Sequence, residues 1–292
     1  MDNVELRRIE ANIFPVARAA IGDPMKFDWH RSRGSIDTWQ SNSSQALCID
    51  LFGTLNQVPE KESVLGQIAG RLGLRGDGPW EIRLEWTEHG NPLNERRRSQ
   101  VDAAAIGRKS IILFECKFTE KFGGCSQPMP RGDGAHKGKF QCNGNYEPQT
   151  NPITNINASC ALTGKGIHYW DYIPELFALD SFQVYQPCPF RGQWYQLMRN
   201  LTLAAALQEK SNKTTAVAVI YANHPNSAMT QWLQSPEWTE FKRCLRTDML
   251  PFVNWPYASF IRMIQEIDTQ NDIWDELAYW ISDKKTKVFE CT

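Results

Sequence analysis

The sequence predicts an α/β fold, a mixed β-sheet flanked by helices, and three observations indicate it. Short apolar or alternating segments at residues 80–87, 101–106 and 110–119 have the length and periodicity of β-strands. Residues 194–210 follow with apolar side chains three and four positions apart, which predicts an amphipathic helix. The continuous apolar run within residues 214–222 is typical of a strand that is buried on both faces of a sheet.

The part of the chain before the first strand predicts helices. Apolar residues recur at helical spacing in residues 4–20, so one long helix is expected there. Residues 22–42 are polar and contain Gly and Ser, which indicates a loop. A second helix is predicted at residues 43–53, with a serine as its N-cap, and a shorter one at residues 63–72.

Residues 101–118 predict a β-hairpin that carries three charged side chains. Asp102 lies on its first strand, and Glu115 and Lys117 lie on its second, directly after four apolar residues. Alternate residues of a strand share a face, so Glu115 and Lys117 point the same way. An exposed Glu/Lys pair at a strand end is the alternative, although charges that follow such an apolar run are unusual on a solvated face.

The register of this hairpin decides whether the carboxylates meet. If residues 108–109 form a two-residue loop, Asp102 lies directly opposite Glu115. A loop at residues 107–108 instead places Asp102 opposite Leu113, on the same face and one diagonal away. A three-residue loop would reverse the parity and separate the two acids.

Two carboxylates brought together in this way require a cation between them, because like charges repel and are costly to bury. A hard divalent ion with oxygen ligands fits that role, and we expect Mg²⁺ or Mn²⁺. Such an ion polarises a phosphoryl oxygen and activates water, while Lys117 would orient the water or stabilise developing charge.

The pattern Asp-x12-Glu-x-Lys, across two paired strands, resembles the PD-(D/E)XK nuclease superfamily. The order helix, three strands, helix, strand is also similar to its core, so the resemblance implies a restriction-endonuclease-like fold. It implies that Asp102 and Glu115 bind the metal, with the backbone carbonyl of Cys116 as a third ligand, and that Lys117 is catalytic. The Pro of the motif is absent, since Gln-Val precedes Asp102.

The resemblance also implies that two helices contribute to the site. On the helix at residues 43–53 the expected contribution comes from Gln45, which would bind a water or a phosphate; Asp50 lies on a different side of that helix. On the helix at residues 194–210 it comes from Gln196. The structural alternatives are a helix cap for Gln45 and the polar side of an amphipathic helix for Gln196.

The charge of the chain allows nucleic-acid binding only through local patches. The net charge is −1, which gives no general affinity for polyanions. Basic residues flank the proposed site on both sides, and they favour DNA as the partner, although solvated loop charge is the alternative: Arg96, Arg97, Arg98, Lys117, Lys121, Arg131, Lys137 and Lys139. We expect no secretory signal, no membrane span and a cytoplasmic location.

An insertion is predicted at residues 119–191, between the Glu-x-Lys strand and the next helix. A structureless loop of this length is uncommon, so something must order it. One candidate is Zn²⁺ or an iron–sulfur cluster bound by four cysteines, Cys125, Cys142, Cys160 and Cys188. Their spacings contain no C-x2-C pair. The alternative is that they are ordinary core thiols and that the aromatic residues 168–170 order the insertion. Three further cysteines are predicted in the core: Cys48, Cys116 and Cys244.

The C-terminal residues 225–292 predict a helical extension rich in aromatic residues, which we expect to pack on the sheet; a platform for stacking bases is the alternative. We therefore predict a single domain, residues 1–292, that hydrolyses DNA phosphodiester bonds with Mg²⁺. Two alternatives remain open. One is a catalytically weak or inactive nucleic-acid-binding protein of the same fold, and the other is a metal-stapled interaction protein.

Overall fold

A five-stranded mixed β-sheet forms the centre of the computed structural model, which describes residues 2–32, 34–127, 160–178, 188–269 and 271–290. The strand order is β3 (Glu81–Thr87), β4 (Gln100–Ile106), β5 (Ser110–Lys117), β6 (Thr214–Tyr221) and β7 (Phe252–Pro256), with helices on both faces. Strands β3, β4 and β5 form an antiparallel meander, and β6 and β7 continue the sheet in parallel. The predicted α/β architecture is confirmed.

The strands of this sheet are short, and four of the five lie where the sequence predicts them. The fifth, β7, was not predicted, because it is a half-buried edge strand that ends in Pro within a helix-rich region. A separate two-stranded ribbon, β1 and β2, precedes the sheet. The strands in the described residues are β1 (Arg31–Ser32), β2 (Ser35–Ile36), β3 (Glu81–Thr87), β4 (Gln100–Ile106), β5 (Ser110–Lys117), β6 (Thr214–Tyr221) and β7 (Phe252–Pro256).

One face of the sheet packs against the helices from the two ends of the chain. The side chains of Ile112, Phe114 and Cys116 from β5 enter this core, where Phe52 and Phe260 contact Phe114. The helices are α1 (Asn3–Ala11), α2 (Ser44–Cys48), α3 (Thr54–Gln57), α4 (Lys61–Arg71), α10 (Tyr257–Ile267) and α11 (Ile273–Phe289).

The opposite face packs against helices from the middle of the chain. Ile111 and Leu113 of β5 enter this second core together with Leu197 and Leu201. The helices here are α5 (Ala161–Gly164), α6 (Tyr169–Leu176), α7 (Trp194–Ser211), α8 (Ala228–Leu233) and α9 (Pro236–Cys244). Helix α7 provides the crossover into β6, which makes β5 and β6 parallel neighbours.

Two helix predictions in the N-terminal part are wrong in their extent. The helix expected at residues 4–20 ends at Ala11, and a separate 3₁₀ segment, Pro15–Ile21, follows, because Pro cannot continue the backbone hydrogen bonding of a helix. The helix expected to end near Gly53 continues through a π-helical segment, Ile49–Gly53, into α3. Gly53 permits a close approach, since a Cβ there would lie 2.8 Å from the carbonyl oxygen of Ala17.

Aromatic side chains of the C-terminal region are packing residues. Trp238, Phe241, Phe260 and Trp274 are buried, which agrees with packing on the sheet and not with a base-stacking platform. The thiols predicted in the core are buried as well, namely Cys48, Cys116 and Cys244. Within the described residues, no helix combines the length and the apolar character that crossing a membrane requires.

Candidate active site

The hairpin of β4 and β5 has the first of the two predicted registers. Residues 108 and 109 form the loop, and the paired residues run from Ile106 opposite Ile111 to Ala103 opposite Phe114. Asp102 and Glu115 are the next residue on each strand beyond this last pair. The Asp102 carboxylate also accepts a hydrogen bond of 2.6 Å from the backbone N–H of Cys116, which fixes it at this end of the hairpin.

Glu115 and Lys117 lie on the α7 side of the sheet and are both buried, with 2% and 6% of their surfaces exposed. The Lys117 ammonium lies 2.7 Å from Oε1 of Glu115 and 3.8 Å from Oε1 of Glu120. These side chains therefore form an internal ion pair; the alternative of a solvated pair at a strand end is wrong.

Two side chains of helix α7 donate hydrogen bonds to the Glu115 carboxylate. Gln196 Nε2 donates to Oε1 of Glu115 over 2.6 Å, and Asn200 Nδ2 donates to Oε2 over 2.9 Å. Residues four apart lie on one face of a helix, so both amides reach the same carboxylate. The structure thus brings Gln196 into the cleft as expected. Asn200 was not among the predicted site residues, although the same spacing would have found it once Gln196 was assigned.

Two further groups complete the cluster around Asp102, and sequence reasoning missed both. Glu85 lies on β3, where its neighbours Leu84 and Trp86 pair with residues on either side of Asp102. His30 Nε2 lies 3.2 Å from Oε2 of Glu85. Ligand atoms of His30, Glu85 and Asp102 are all within 4.8 Å of one another. A set of this kind can bind a metal ion.

Backbone geometry explains why Glu85 faces this cluster. Its φ is +49°, in the left-handed region that a glutamate rarely adopts. Leu84 packs against the first core, whereas Trp86, two residues later, enters the second core. The predicted common face for the apolar residues of β3 is therefore wrong at Trp86. The left-handed backbone at Glu85 interrupts the alternation of side chains along β3. A sequence pattern that assumes a regular strand does not reveal this interruption.

Gln45 is buried beneath the cluster and acts on it through its neighbours. Its amide Nε2 donates to Oε1 of Glu85 over 2.8 Å, and its Oε1 accepts the backbone N–H of His30 over 2.9 Å and the hydroxyl of Thr38. Asp50 is not part of the cleft, because it forms a buried ion pair with Lys284.

The protonation of the cluster reflects its crowded charge. Burial, together with the nearby carboxylates Glu115 and Glu85, raises the pKa of Asp102 well above its ordinary value. Burial opposes a charge on Lys117, but Glu115 and Asp102 outweigh that effect and raise the pKa of its ammonium. Burial likewise opposes a charge on His30, but the hydrogen bond to Glu85 raises its pKa to about 9. Three acids thus share a confined volume, and a divalent cation would relieve their repulsion.

An open cleft of about 390 Å³ gives access to these groups. Its lining includes Arg97, Arg98 and Arg199 besides the acids and Lys117. Glu95 orders this basic rim: its carboxylate accepts the backbone N–H of Ser99 over 2.6 Å, which closes the loop that carries Arg97 and Arg98, and it pairs with Arg199 at 3.0 Å. The cleft therefore combines an acidic floor with a cationic rim.

The remaining predicted ligands are placed as follows. Cys116 lies between Glu115 and Lys117 with its side chain in the first core, and the role of its backbone carbonyl stays a prediction. Three of the four insertion cysteines line one small, separate cavity, Cys125, Cys160 and Cys188. Cys142 lies outside the described residues, as do Arg131, Lys137 and Lys139 of the second basic patch.

Comparison with known proteins identifies the family. The family model described as "Restriction Endonuclease associating with ARP" matches residues 9–276, which is most of the chain and includes every element of the cleft. No curated protein and no solved structure matches the chain. The mixed sheet flanked by helices is consistent with a restriction-endonuclease-like fold. The chain belongs to the family described as "Restriction Endonuclease associating with ARP".

Proposed function

We propose that this protein is a divalent-metal-dependent nuclease of the PD-(D/E)XK type that hydrolyses DNA phosphodiester bonds. The observation that supports the proposal most is the meeting of Asp102, Glu115 and Lys117 in one cleft, in a chain of a restriction-endonuclease family. Three acids, Glu85, Asp102 and Glu115, lie close together at this cleft, and their mutual repulsion is costly unless a cation is bound. Such a cluster of buried acids in an open cleft is typical of a functional site.

The donor atoms of the cleft fit a divalent cation. Asp102 would hold it, with Glu85 and His30 as co-ligands, since their atoms already cluster. Glu115 and the backbone carbonyl of Cys116 remain proposed ligands from the motif. Carboxylate oxygens suit Mg²⁺ and Mn²⁺, and the imidazole favours Mn²⁺ of the two. When bound, the ion supplies Lewis-acid polarisation of a phosphoryl oxygen and a more acidic water.

The side chains around Glu115 would position the reacting groups. Lys117 donates hydrogen bonds at the cleft, where it can orient the attacking water and stabilise negative charge that develops on the phosphoryl group. Gln196 and Asn200 hold the carboxylate that anchors Lys117, so the ammonium is fixed before substrate arrives. Fixed donors stabilise developing charge without the cost of reorganisation.

The cationic rim would bind the DNA backbone. Arg97 and Arg98 are exposed and line the cleft, so they can contact phosphates on either side of the scissile bond. Arg199 is held by Glu95 and is available at the same opening. The description of the family names an association with ARP, and we propose that this protein forms such an association as well.

A nuclease assay tests the function. Supercoiled plasmid, linear duplex and single-stranded DNA are incubated with wild-type protein in Mg²⁺, in Mn²⁺ and in EDTA. We expect cleavage that requires the cation, that is lost in Lys117→Ala, and that persists in Lys26→Ala, a substitution at an exposed lysine. DNA binding without cleavage of any substrate would favour the inactive binding protein, and neither binding nor cleavage would favour the interaction protein.

A further inference from the structure

We propose that Cys125, Cys160 and Cys188 bind a single zinc ion that fastens the insertion beside the active site. The three thiols come from separate parts of the chain. Cys125 lies in the loop after β5, Cys160 directly precedes α5, and Cys188 directly precedes a 3₁₀ turn, Pro189–Arg191. All three line one cavity. The three side chains pack against the edge of the second core, and thiolates are the preferred ligands of structural zinc.

The size of the cavity favours one ion over a cluster. Its volume is about 30 Å³, while one water needs at least about 10–15 Å³ of the same measure. A single zinc ion therefore fits, and a four-iron cluster does not. The rest of the lining is mostly apolar or aromatic and includes Tyr169, Trp170 and Ile173, and these side chains would limit access of solvent to the thiolates.

The sulfur atoms would close on the ion by side-chain rotation. None of the three cysteines forms a disulfide with another described cysteine. In the described part of the chain, only the His30, Glu85 and Asp102 cluster already has its ligand atoms within 4.8 Å of one another. A change of χ1 between staggered wells moves a sulfur while the backbone stays in place. Cys142 lies outside the described residues and is not part of the inferred ligand set.

Hydrogen bonds connect this cavity to the active site. The backbone N–H of Cys125 donates to Arg191 over 3.1 Å, and that of Arg191 donates to Cys188 over 3.0 Å. On the other side of Cys125, Gly123 and Gln196 exchange two hydrogen bonds, one of 2.9 Å to the Gln196 side chain and one of 3.3 Å between backbones. An ion held by Cys125 and Cys188 would therefore fasten both segments that hold Gln196 against Glu115.

Metal analysis tests this inference without any cleavage assay. Protein purified from cells grown with zinc is dialysed against EDTA and analysed by mass spectrometry for zinc, iron and sulfide. We expect about one zinc per chain, since structural zinc–thiolate sites bind tightly. Cys125→Ser, Cys160→Ser and Cys188→Ser should each lose it. Cys244→Ser, at a buried cysteine outside the cavity, is the matched control and should retain it.

Cobalt substitution covers the case in which a serine variant does not fold. Wild-type protein loaded with Co²⁺ should show the intense near-ultraviolet absorption of cobalt–thiolate bonds. Wild-type protein without zinc and without that absorption overturns the inference, as do serine variants that keep zinc. Brown protein with iron and sulfide also overturns it. The link to Gln196 rests on the proposed function, whereas the zinc content does not, so the two can fail separately.

Discussion

Gln45 Nε2 donates a hydrogen bond of 2.8 Å to Oε1 of Glu85, so helix α2 holds a carboxylate of the candidate metal site. The same amide accepts the backbone N–H of His30. One buried glutamine therefore positions both of the groups that cluster with Asp102. Its contribution to the site is indirect, because Glu85 and His30 lie between it and the cleft.

Replacing Gln45 by Leu should affect both stability and metal binding. Leucine fills the space but leaves the His30 N–H and the Asp28 carbonyl without a partner, and an unsatisfied buried group costs about 1–3 kcal/mol. Urea denaturation should show a lower free energy of unfolding, and Mn²⁺ titration followed by electron paramagnetic resonance should show weaker binding. Gln231→Leu, at an exposed helix position, should change neither. Unchanged Mn²⁺ affinity in a folded Gln45→Leu protein would refute the positioning role.

Glu85→Gln should weaken binding of Mn²⁺ by more than about tenfold, since it removes a charged ligand while keeping the shape of the side chain. Calorimetric titration in the absence of DNA measures this directly. Glu81→Gln is the matched control, because Glu81 is an exposed acid on the same strand that pairs with Arg83. If the Glu85→Gln and Glu81→Gln variants bind Mn²⁺ with equal affinity, Glu85 is not a ligand. Asp102 and Glu115 of the sequence motif would then be the remaining acidic ligands.

Arg97→Ala and Arg98→Ala should each weaken DNA binding and lower its dependence on salt. Each lost phosphate contact reduces the slope of log affinity against log salt by about one. The loss should be similar for unrelated DNA sequences, because phosphates carry no sequence information. Binding is measured by fluorescence anisotropy at several salt concentrations. Arg71→Ala serves as the control at a surface arginine paired with Glu266. A slope that stays at the wild-type value would show that the rim does not contact DNA.

Lys284→Met should destabilise the fold through Asp50. The ammonium of Lys284 lies 2.6 Å from the Asp50 carboxylate and fastens α11 to the π-helical segment. Its removal leaves a buried charge unpaired, which typically costs about 3–5 kcal/mol. Adding Asp50→Asn to Lys284→Met should recover part of that loss. Thermal and urea unfolding of the two single variants and the double variant provide the measurement, and strictly additive losses would contradict the pairing.

The sequence was sufficient to predict the hairpin and two possible registers, of which the structure has the first. A two-residue loop fixes the parity of both strands, so Asp102, Glu115 and Lys117 could be placed on one face without further information. Gln196 could be assigned because the family resemblance implies a contribution from the helix that follows these strands. These features depend on local periodicity and on connections between neighbouring elements, which the order of residues records directly.

Other parts of the site depend on contacts that the sequence does not record. Glu85 faces the cluster because its backbone is left-handed, and nothing in the alternation of β3 indicates that inversion. His30 comes from a polar loop and reaches Glu85 across 55 positions of the chain. Gln45 was expected to contact a water or phosphate, but its neighbours Thr38 and Glu85 occupy its amide. Such long-range pairs arise only when the helices pack on the sheet.

The central claim is tested most directly by cleavage of plasmid DNA in Mn²⁺ by Asp102→Asn and Lys117→Ala beside wild type. Asp102→Asn keeps the shape of the side chain, whereas Lys117→Ala leaves the buried Glu115 carboxylate unpaired and should lower the free energy of unfolding by about 3–5 kcal/mol. Circular dichroism checks that both variants are folded, and both should still bind DNA, because the cationic rim is intact. The account predicts that each loses at least about 100-fold in rate. Asp248→Asn, at an exposed acid, should cleave at the wild-type rate. Cleavage at the wild-type rate by Asp102→Asn and Lys117→Ala would contradict the account.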